Sequence, residues 1–235
     1  DYVNNMGKTI GNDIKKLGFN VDFAPVADVL TNVDNTVIGN RAFSSDAGVA
    51  AQMVFELLLS AGVEFGLSIT LMLAIMAALS GADTAGDSHT GAAQTDRTKE
   101  EMEAEEFLPF QSGIEAGVDM IMVGHITAPN LTDGDSLPAS ISEKIITGVL
   151  RNELGYHGII ITDAMNMGAI TEYYKSDVAA IMALKAGADM VLMPENFEEA
   201  YQGVLDAVVD GTVSEERIND SLRRIYRVKL KSRVL

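Results

Sequence analysis

Two short segments of this 235-residue chain combine residue types that can carry out covalent chemistry. In the first, Asp83–His89, a carboxylate (Asp87) and an imidazole (His89) lie two positions apart in a loop of small residues. The second, Ile159–Asp163, is an apolar run of strand length that ends in an acid. A carboxylate can act as a nucleophile, and an imidazole that titrates near neutral pH can give and take protons. The two segments therefore suggest a nucleophile with an acid/base partner.

Both segments also fit ordinary structural roles. Asp163 precedes Ala164–Met167, so its carboxylate either caps the next helix or points into a site. Asp, Ser and Gly are common in turns, so Asp87–His89 could simply form a polar turn. Taken residue by residue, capping and turn formation are the preferred interpretations.

Apolar runs alternate with helical periodicity along the chain, which predicts a parallel α/β sheet. Four runs are clear strands and one more is doubtful; the clear ones are 21–26, 118–123, 158–162 and 189–193. Helices are predicted at 2–17, 98–116, 141–154, 177–185, 197–209 and 214–231. Ser140 is the predicted cap of the third helix. A β/α barrel has its active site at the carboxyl ends of such strands. The recognisable strands are, however, too few to form a closed eight-stranded barrel.

Composition excludes several classes of function. The net charge is −17, which repels nucleic-acid backbones and anionic membranes. The chain has no cysteine, so it can form neither a disulfide nor a thiolate metal site, and its three histidines are scattered. It also lacks a phosphate-binding glycine loop and a dinucleotide fingerprint, so we expect no cofactor. The compartment stays open between cytoplasm and secretion or the cell envelope.

Four motifs together resemble the N-terminal barrel of the family 3 glycoside hydrolases, in its β-N-acetylhexosaminidase branch. They are Ala24–Val26, Gly39–Phe43, the Asp87–His89 loop and Thr162–Met167. The resemblance covers residues 1–52 and 83–235, and 52–82 diverge from it. It implies an incomplete (β/α)8 TIM-barrel-like domain over residues 1–235, whose first strands would precede Asp1.

The resemblance also implies roles for individual residues. Asp163 corresponds to the nucleophile after the sixth barrel strand, which forms a covalent glycosyl-enzyme that water opens with retention. His89 would be the acid/base, with Asp87 orienting its ring and favouring its cationic form. Arg41 would contact sugar hydroxyls or the N-acetyl region, with a solvated surface arginine as the alternative. His125, after the fifth strand, would line the pocket, although a satisfied structural histidine explains it equally well.

The segment 66–82 departs from the family pattern. Members of the family that this chain resembles carry a Lys-His-Phe-Pro-Gly-His-Gly run there. In this chain, Met76–Ala82 contains neither a cationic side chain nor an imidazole. One interpretation is a transmembrane helix, although the run is short of the usual length of about 20 residues. A second is a native buried strand or helix. The third, which we favour, is a reading-frame error, because codons for Ala78–Ala82 read one nucleotide out of phase permit His-Phe-Pro-Gly-His.

The function expected from the resemblance is retaining hydrolysis of terminal β-N-acetylglucosaminides from peptidoglycan or chitin. The substrate would be a small glycoside or an oligosaccharide, with no nucleic acid or membrane as partner and protein partners left open. The alternative is a catalytically impaired or non-catalytic barrel fragment that binds sugar weakly. An unrelated α/β-barrel enzyme is a third hypothesis, without specific support.

Overall fold

The computed structural model, which describes residues 2–31, 38–63, 68–73 and 93–231, contains one parallel sheet of five strands. In chain order they are β1 (Val21–Asp22), β2 (Ser68–Leu73), β3 (Met120–Val123), β4 (Ile159–Ala164) and β5 (Met190–Leu192). The strands lie side by side in that same order, and each pairs in parallel with the next. The register aligns Leu73, Val123 and Thr162 across three strands. The carboxyl ends of β2, β3 and β4 therefore meet at one edge of the sheet.

Helices lie between the strands along the described chain. They are α1 (Tyr2–Lys16), α2 (Ala47–Leu58), α3 (Lys99–Ala104), α4 (Phe107–Glu115), α5 (Gly168–Thr171), α6 (Ser176–Ala186), α7 (Phe197–Val209) and α8 (Glu215–Lys231). A π-helix (Lys144–Glu153) links β3 to β4, a second (Leu59–Val63) extends α2, and short 3-10 turns occupy Gly39–Arg41 and Ala139–Ile141. This succession confirms the predicted α/β class and the partial, TIM-barrel-like sheet.

The centre of the sheet is the most apolar part of the core. All four residues of β3 are buried, and so are the first four of β4. Central strands of a parallel sheet are buried on both faces, so they are continuously apolar rather than alternating. This is why the runs at 118–123 and 158–162 could be recognised as strands.

Two predicted helices differ in detail from the structure. The segment 98–116 forms two helices, α3 and α4, because Pro109 has no amide hydrogen and its ring would clash with the carbonyl of Glu105 in one continuous helix. Helix α1 ends at Lys16 rather than at Leu17, and its buried residues are Gly7 and Gly11. A methyl group at position 7 would collide with the Ser60 hydroxyl, so close helix packing explains that glycine.

The uncharged run 66–82 contributes a strand to the sheet. Ser68–Leu73 forms β2, between β1 and β3, so these six residues are strand rather than transmembrane helix. Across the described ranges, no helix combines the length and apolarity needed to cross a membrane. Residues 74–92, which include the predicted frame error, lie outside the described residues, and the frame-error hypothesis stays a prediction.

Candidate active site

Asp163 lies at the carboxyl end of β4, as predicted. Thr162 before it is fully buried, whereas Asp163 itself is partly exposed, so the chain emerges from the core at this acid. The Ala164 amide donates a hydrogen bond of 2.7 Å to Asp163 Oδ1. The capping alternative is wrong, because α5 begins only at Gly168 with Met167 at its N-cap.

The backbone around Asp163 contains an irregularity in the pairing of β4 with β5. Ile161 pairs with Met190 and Ala164 pairs with Leu192, so β4 takes three steps where β5 takes two. One extra residue in one strand is a β-bulge, a feature that re-aims side chains and is frequent at barrel rims and active sites. Asp163 lies within this bulge.

His125 lies directly beyond the end of β3 and contacts the same part of β4. Its Nε2 lies 2.9 Å from the Ala164 carbonyl oxygen, and its Nδ1 lies 2.7 Å from Ser140 Oγ. A carbonyl oxygen can only accept, so Nε2 carries the proton, and in the neutral ring Nδ1 accepts from the Ser140 hydroxyl. Because the residue is only 1% exposed, this geometry supports the structural interpretation of His125 over pocket lining.

Ser140 is not the helix cap that was predicted. It lies in the 3-10 turn Ala139–Ile141, is fully buried and forms a hydrogen bond with His125. The π-helix that follows starts at Lys144, with Glu143 as its N-cap residue. The sequence could not separate the two roles, since a serine before an apolar helical run fits both. Thr162 was missed as a candidate as well. Its only sequence signal is a hydroxyl residue within an apolar strand, directly before the acid.

Arg41 lies in the connection between β1 and α2, which leaves the carboxyl end of β1. It ends the 3-10 turn Gly39–Arg41, and its amide donates to the Ile38 carbonyl at 2.9 Å. Ile38 is buried in the core, whereas Arg41 is exposed. The core thus anchors the turn at Ile38 and leaves Arg41 on the surface.

Asp87 and His89 lie outside the described residues, and their predicted roles stay predictions. The described chain before and after them lies at the sheet edge where the carboxyl ends of β2, β3 and β4 meet. β2 ends at Leu73, which pairs with Val123, and the chain returns at Ala93 beside Thr127. There the Thr95 amide donates to the Thr127 carbonyl and the Thr127 amide to the Ala93 carbonyl, both at 2.9 Å.

The chain that follows Ala93 is held in place by an ion pair between Arg97 and a buried acid, Glu106. Arg97 Nη1 lies 2.7 Å from Glu106 Oε1, and Arg97 Nη2 lies 2.7 Å from Glu105 Oε2. Glu106 is only 2% exposed. Burial raises the pKa of the Glu106 carboxyl to about 7 from its ordinary 4.5, although the guanidinium of Arg97 acts to lower it.

This raised pKa predicts a pH dependence of stability. Between about pH 4.5 and 7 the folded chain keeps a proton on Glu106 that the unfolded chain releases, so stability from this group falls as the pH rises through that window. We expect urea unfolding of Glu106→Gln to show a weaker decline over the window than the parent chain. A steeper or equal decline in the variant would show that Arg97 keeps the carboxylate charged.

The described residues contain no group of three or more His, Asp or Glu side chains that could hold a metal ion. The candidate site therefore comprises, within the described ranges, an acid on a β-bulge (Asp163) and the hydrogen bonds that fix its backbone, with an exposed arginine (Arg41) on the connection that follows β1. Such an arrangement can present a carboxylate to an electrophilic carbon.

Comparison with known proteins shows which family this chain resembles in sequence. The family model described as the glycosyl hydrolase family 3 N terminal domain matches residues 1–228. Beta-hexosaminidase A of Pseudoalteromonas piscicida is 33% identical, over 98% of this chain and 41% of its own length. The beta-N-acetylglucosaminidase/beta-glucosidase of Cellulomonas fimi is 28% identical, over 97% and 41%.

A solved structure with this fold gives the same result. The family 3 beta-N-acetylglucosaminidase from Paenibacillus sp. str. FPU-7 superposes with a TM-score of 0.92 at 33% identity, over 99% of this chain and 44% of that chain. The chain thus spans less than half the length of these relatives. The match along nearly all of its residues, in sequence and in fold, shows that the chain belongs to glycosyl hydrolase family 3 through the N-terminal domain of that family.

Proposed function

We propose that this chain forms the catalytic β/α-barrel unit of a retaining β-N-acetylhexosaminidase. Its substrates would be terminal β-N-acetylglucosaminides of peptidoglycan-derived or chitin-derived oligosaccharides. The observation that carries the proposal is Asp163, placed on a β-bulge at the carboxyl end of β4 in a chain of this family. The names of the similar proteins, beta-hexosaminidase and beta-N-acetylglucosaminidase, support the choice of sugar.

The reaction would proceed in two displacements at the anomeric carbon. In the first, an Asp163 oxygen forms a bond to that carbon while the bond to the leaving oxygen breaks and His89 gives this oxygen its proton. In the second, His89 takes a proton from water, and the water oxygen displaces the Asp163 carboxylate. Two inversions at one carbon give net retention, and the protein returns to its initial state.

The other candidate residues would bind and orient. Asp87 would hold the ring of His89 and favour its protonated form in the first step. Arg41, exposed on its anchored turn, would contact sugar hydroxyls or the N-acetyl group. His125, buried with both ring nitrogens close to protein atoms, would support the end of β4 and not touch the sugar.

One experiment tests reaction and stereochemistry together. The chain is incubated with 4-nitrophenyl N-acetyl-β-glucosaminide and with the matching β-glucoside, and NMR records the first anomer released. We expect faster release from the N-acetyl substrate and the β-anomer as first product. The α-anomer would contradict retention, and no release from either glycoside would favour the non-catalytic fragment. A sugar phosphate formed only when inorganic phosphate is added would assign a phosphorylase.

A further inference from the structure

At the bulge of β4, the backbone amide of Leu192 donates its hydrogen bond to a side chain instead of to a backbone carbonyl. Where the two strands fall out of step, the Leu192 amide donates to the side-chain oxygen of Thr162, at 3.0 Å. A bulge disrupts the regular ladder of backbone bonds, so an amide beside it needs another acceptor. The hydroxyl of Thr162 supplies that acceptor inside the core, where Thr162 is fully buried.

The residues after Asp163 are fixed from two sides. The Met165 amide donates to the Leu192 carbonyl at 2.9 Å, while His125 Nε2 contacts the carbonyl of Ala164 at 2.9 Å. Both groups of the peptide between Ala164 and Met165 are therefore bonded, one to β5 and one to the chain after β3. Asp163 lies between this fixed peptide and the Thr162 hydrogen bond.

We infer that the hydroxyl of Thr162 is the positioning group that holds the bulge and thereby aims the carboxylate of Asp163 at the sugar. The inference rests on the proposed function, since it concerns the same acid. Thr162 is too deeply buried to touch a substrate, so it acts only through the backbone. Without its acceptor the bulge can relax toward regular pairing, and a shift of one residue turns a side chain to the opposite face of a sheet.

The expected effect is on turnover more than on binding. A displacement of a reacting group by about 1 Å can cost on the order of 100-fold in rate. Removal of the hydroxyl leaves the groups that bind the sugar unchanged, so KM should change little. A loss confined to kcat distinguishes positioning from a general loss of binding.

The test compares Thr162→Val, which keeps the shape but loses the hydroxyl, with Thr162→Ser, which keeps the hydroxyl but loses a methyl. We expect kcat to fall about 10- to 100-fold in Thr162→Val and to be largely restored in Thr162→Ser. A role in core packing predicts the reverse order, because valine fills the site and serine does not. Thr162→Ala, which also lacks the hydroxyl, replaces the valine variant should that variant not fold.

Thr147→Val is the matched control. Thr147 Oγ1 donates to the Ala186 carbonyl at 2.7 Å, so this variant loses one hydroxyl bond near the amino end of β5, away from Asp163. Hydrogen exchange at the Leu192 amide gives a readout independent of activity. Its protection should fall in Thr162→Val and persist in Thr162→Ser and Thr147→Val.

The outcomes separate this inference from the proposed function. If Asp163→Ala abolishes turnover but Thr162→Val loses no more kcat than Thr147→Val, the positioning role is wrong and the nucleophile assignment stands. If the parent chain turns over no glycoside, or Asp163→Ala turns over as fast as the parent, both proposals fail, since there is then no nucleophile to position.

Discussion

Replacing Asp163 with alanine should reduce glycoside hydrolysis by on the order of 10⁴-fold or more, because the variant lacks the atom that forms the covalent bond. Added azide should restore part of the release, since a small anion can occupy the space left by the carboxylate and attack the anomeric carbon directly. One displacement replaces two, so the azide product should have the α-configuration. Chromogenic release with and without azide, followed by NMR of the product, measures both effects.

A covalent trap gives the complementary result for the intact acid. An activated fluoro-sugar should label the parent chain, and peptide mass spectrometry should locate the label on Asp163. Asp206→Ala removes an exposed carboxylate from α7 and should hydrolyse glycosides like the parent. Equal release by Asp163→Ala and the parent, or a label on another residue, would remove Asp163 from the mechanism.

The largest loss of stability is expected at Asp189, directly before β5. Its side chain is fully buried, and one carboxylate oxygen accepts from Arg151 at 2.6 Å and from the Ile160 amide at 3.0 Å. The other accepts from Ser221 at 2.7 Å and from Arg224 at 2.8 Å. One acid therefore joins the π-helix, β4 and α8 at the amino end of the sheet.

Asp189→Ala should lower the free energy of unfolding by about 3–5 kcal/mol, because it leaves partly buried guanidinium groups without their counter-charge. Burial already lowers the pKa of Arg151, which shows how poorly its charge is solvated. Urea or guanidinium unfolding, followed by circular dichroism, measures the loss. Arg223→Ala is the control: Arg223 pairs with Glu216 and Asp220 on the surface, and its removal should leave stability nearly unchanged. Similar losses in both variants would show that the Asp189 cluster contributes no more than surface ion pairs.

Much of the architecture could be predicted because it depends on local patterns. The helix 197–209 has the predicted bounds, and β3 and β4 lie where continuous apolar runs ended in polar residues. The break between α3 and α4 also had a local cause, Pro109, which the prediction overlooked. β2 was harder, because an uncharged run fits a strand or a buried helix and, although short for it, a membrane span as well.

The candidate site could be predicted only in part, because its geometry depends on pairing between distant segments. The bulge at Asp163 is a property of the register between β4 and β5, and no pattern within 159–164 indicates it. The bond between His125 and Ser140 likewise joins two segments that local patterns treat separately. The roles of Asp87, His89 and Arg41 still rest on family resemblance.

The hydrogen bonds around the bulge also have a consequence for folding. The contact of His125 with Ala164 spans 39 positions, and the bond from Leu192 to Thr162 spans 30. Contacts between residues far apart in sequence form slowly, because the intervening chain must first be ordered. Secondary structure can therefore return before Asp163 is aligned, and a chain that stops short of β5 would contain Asp163 yet leave it misdirected.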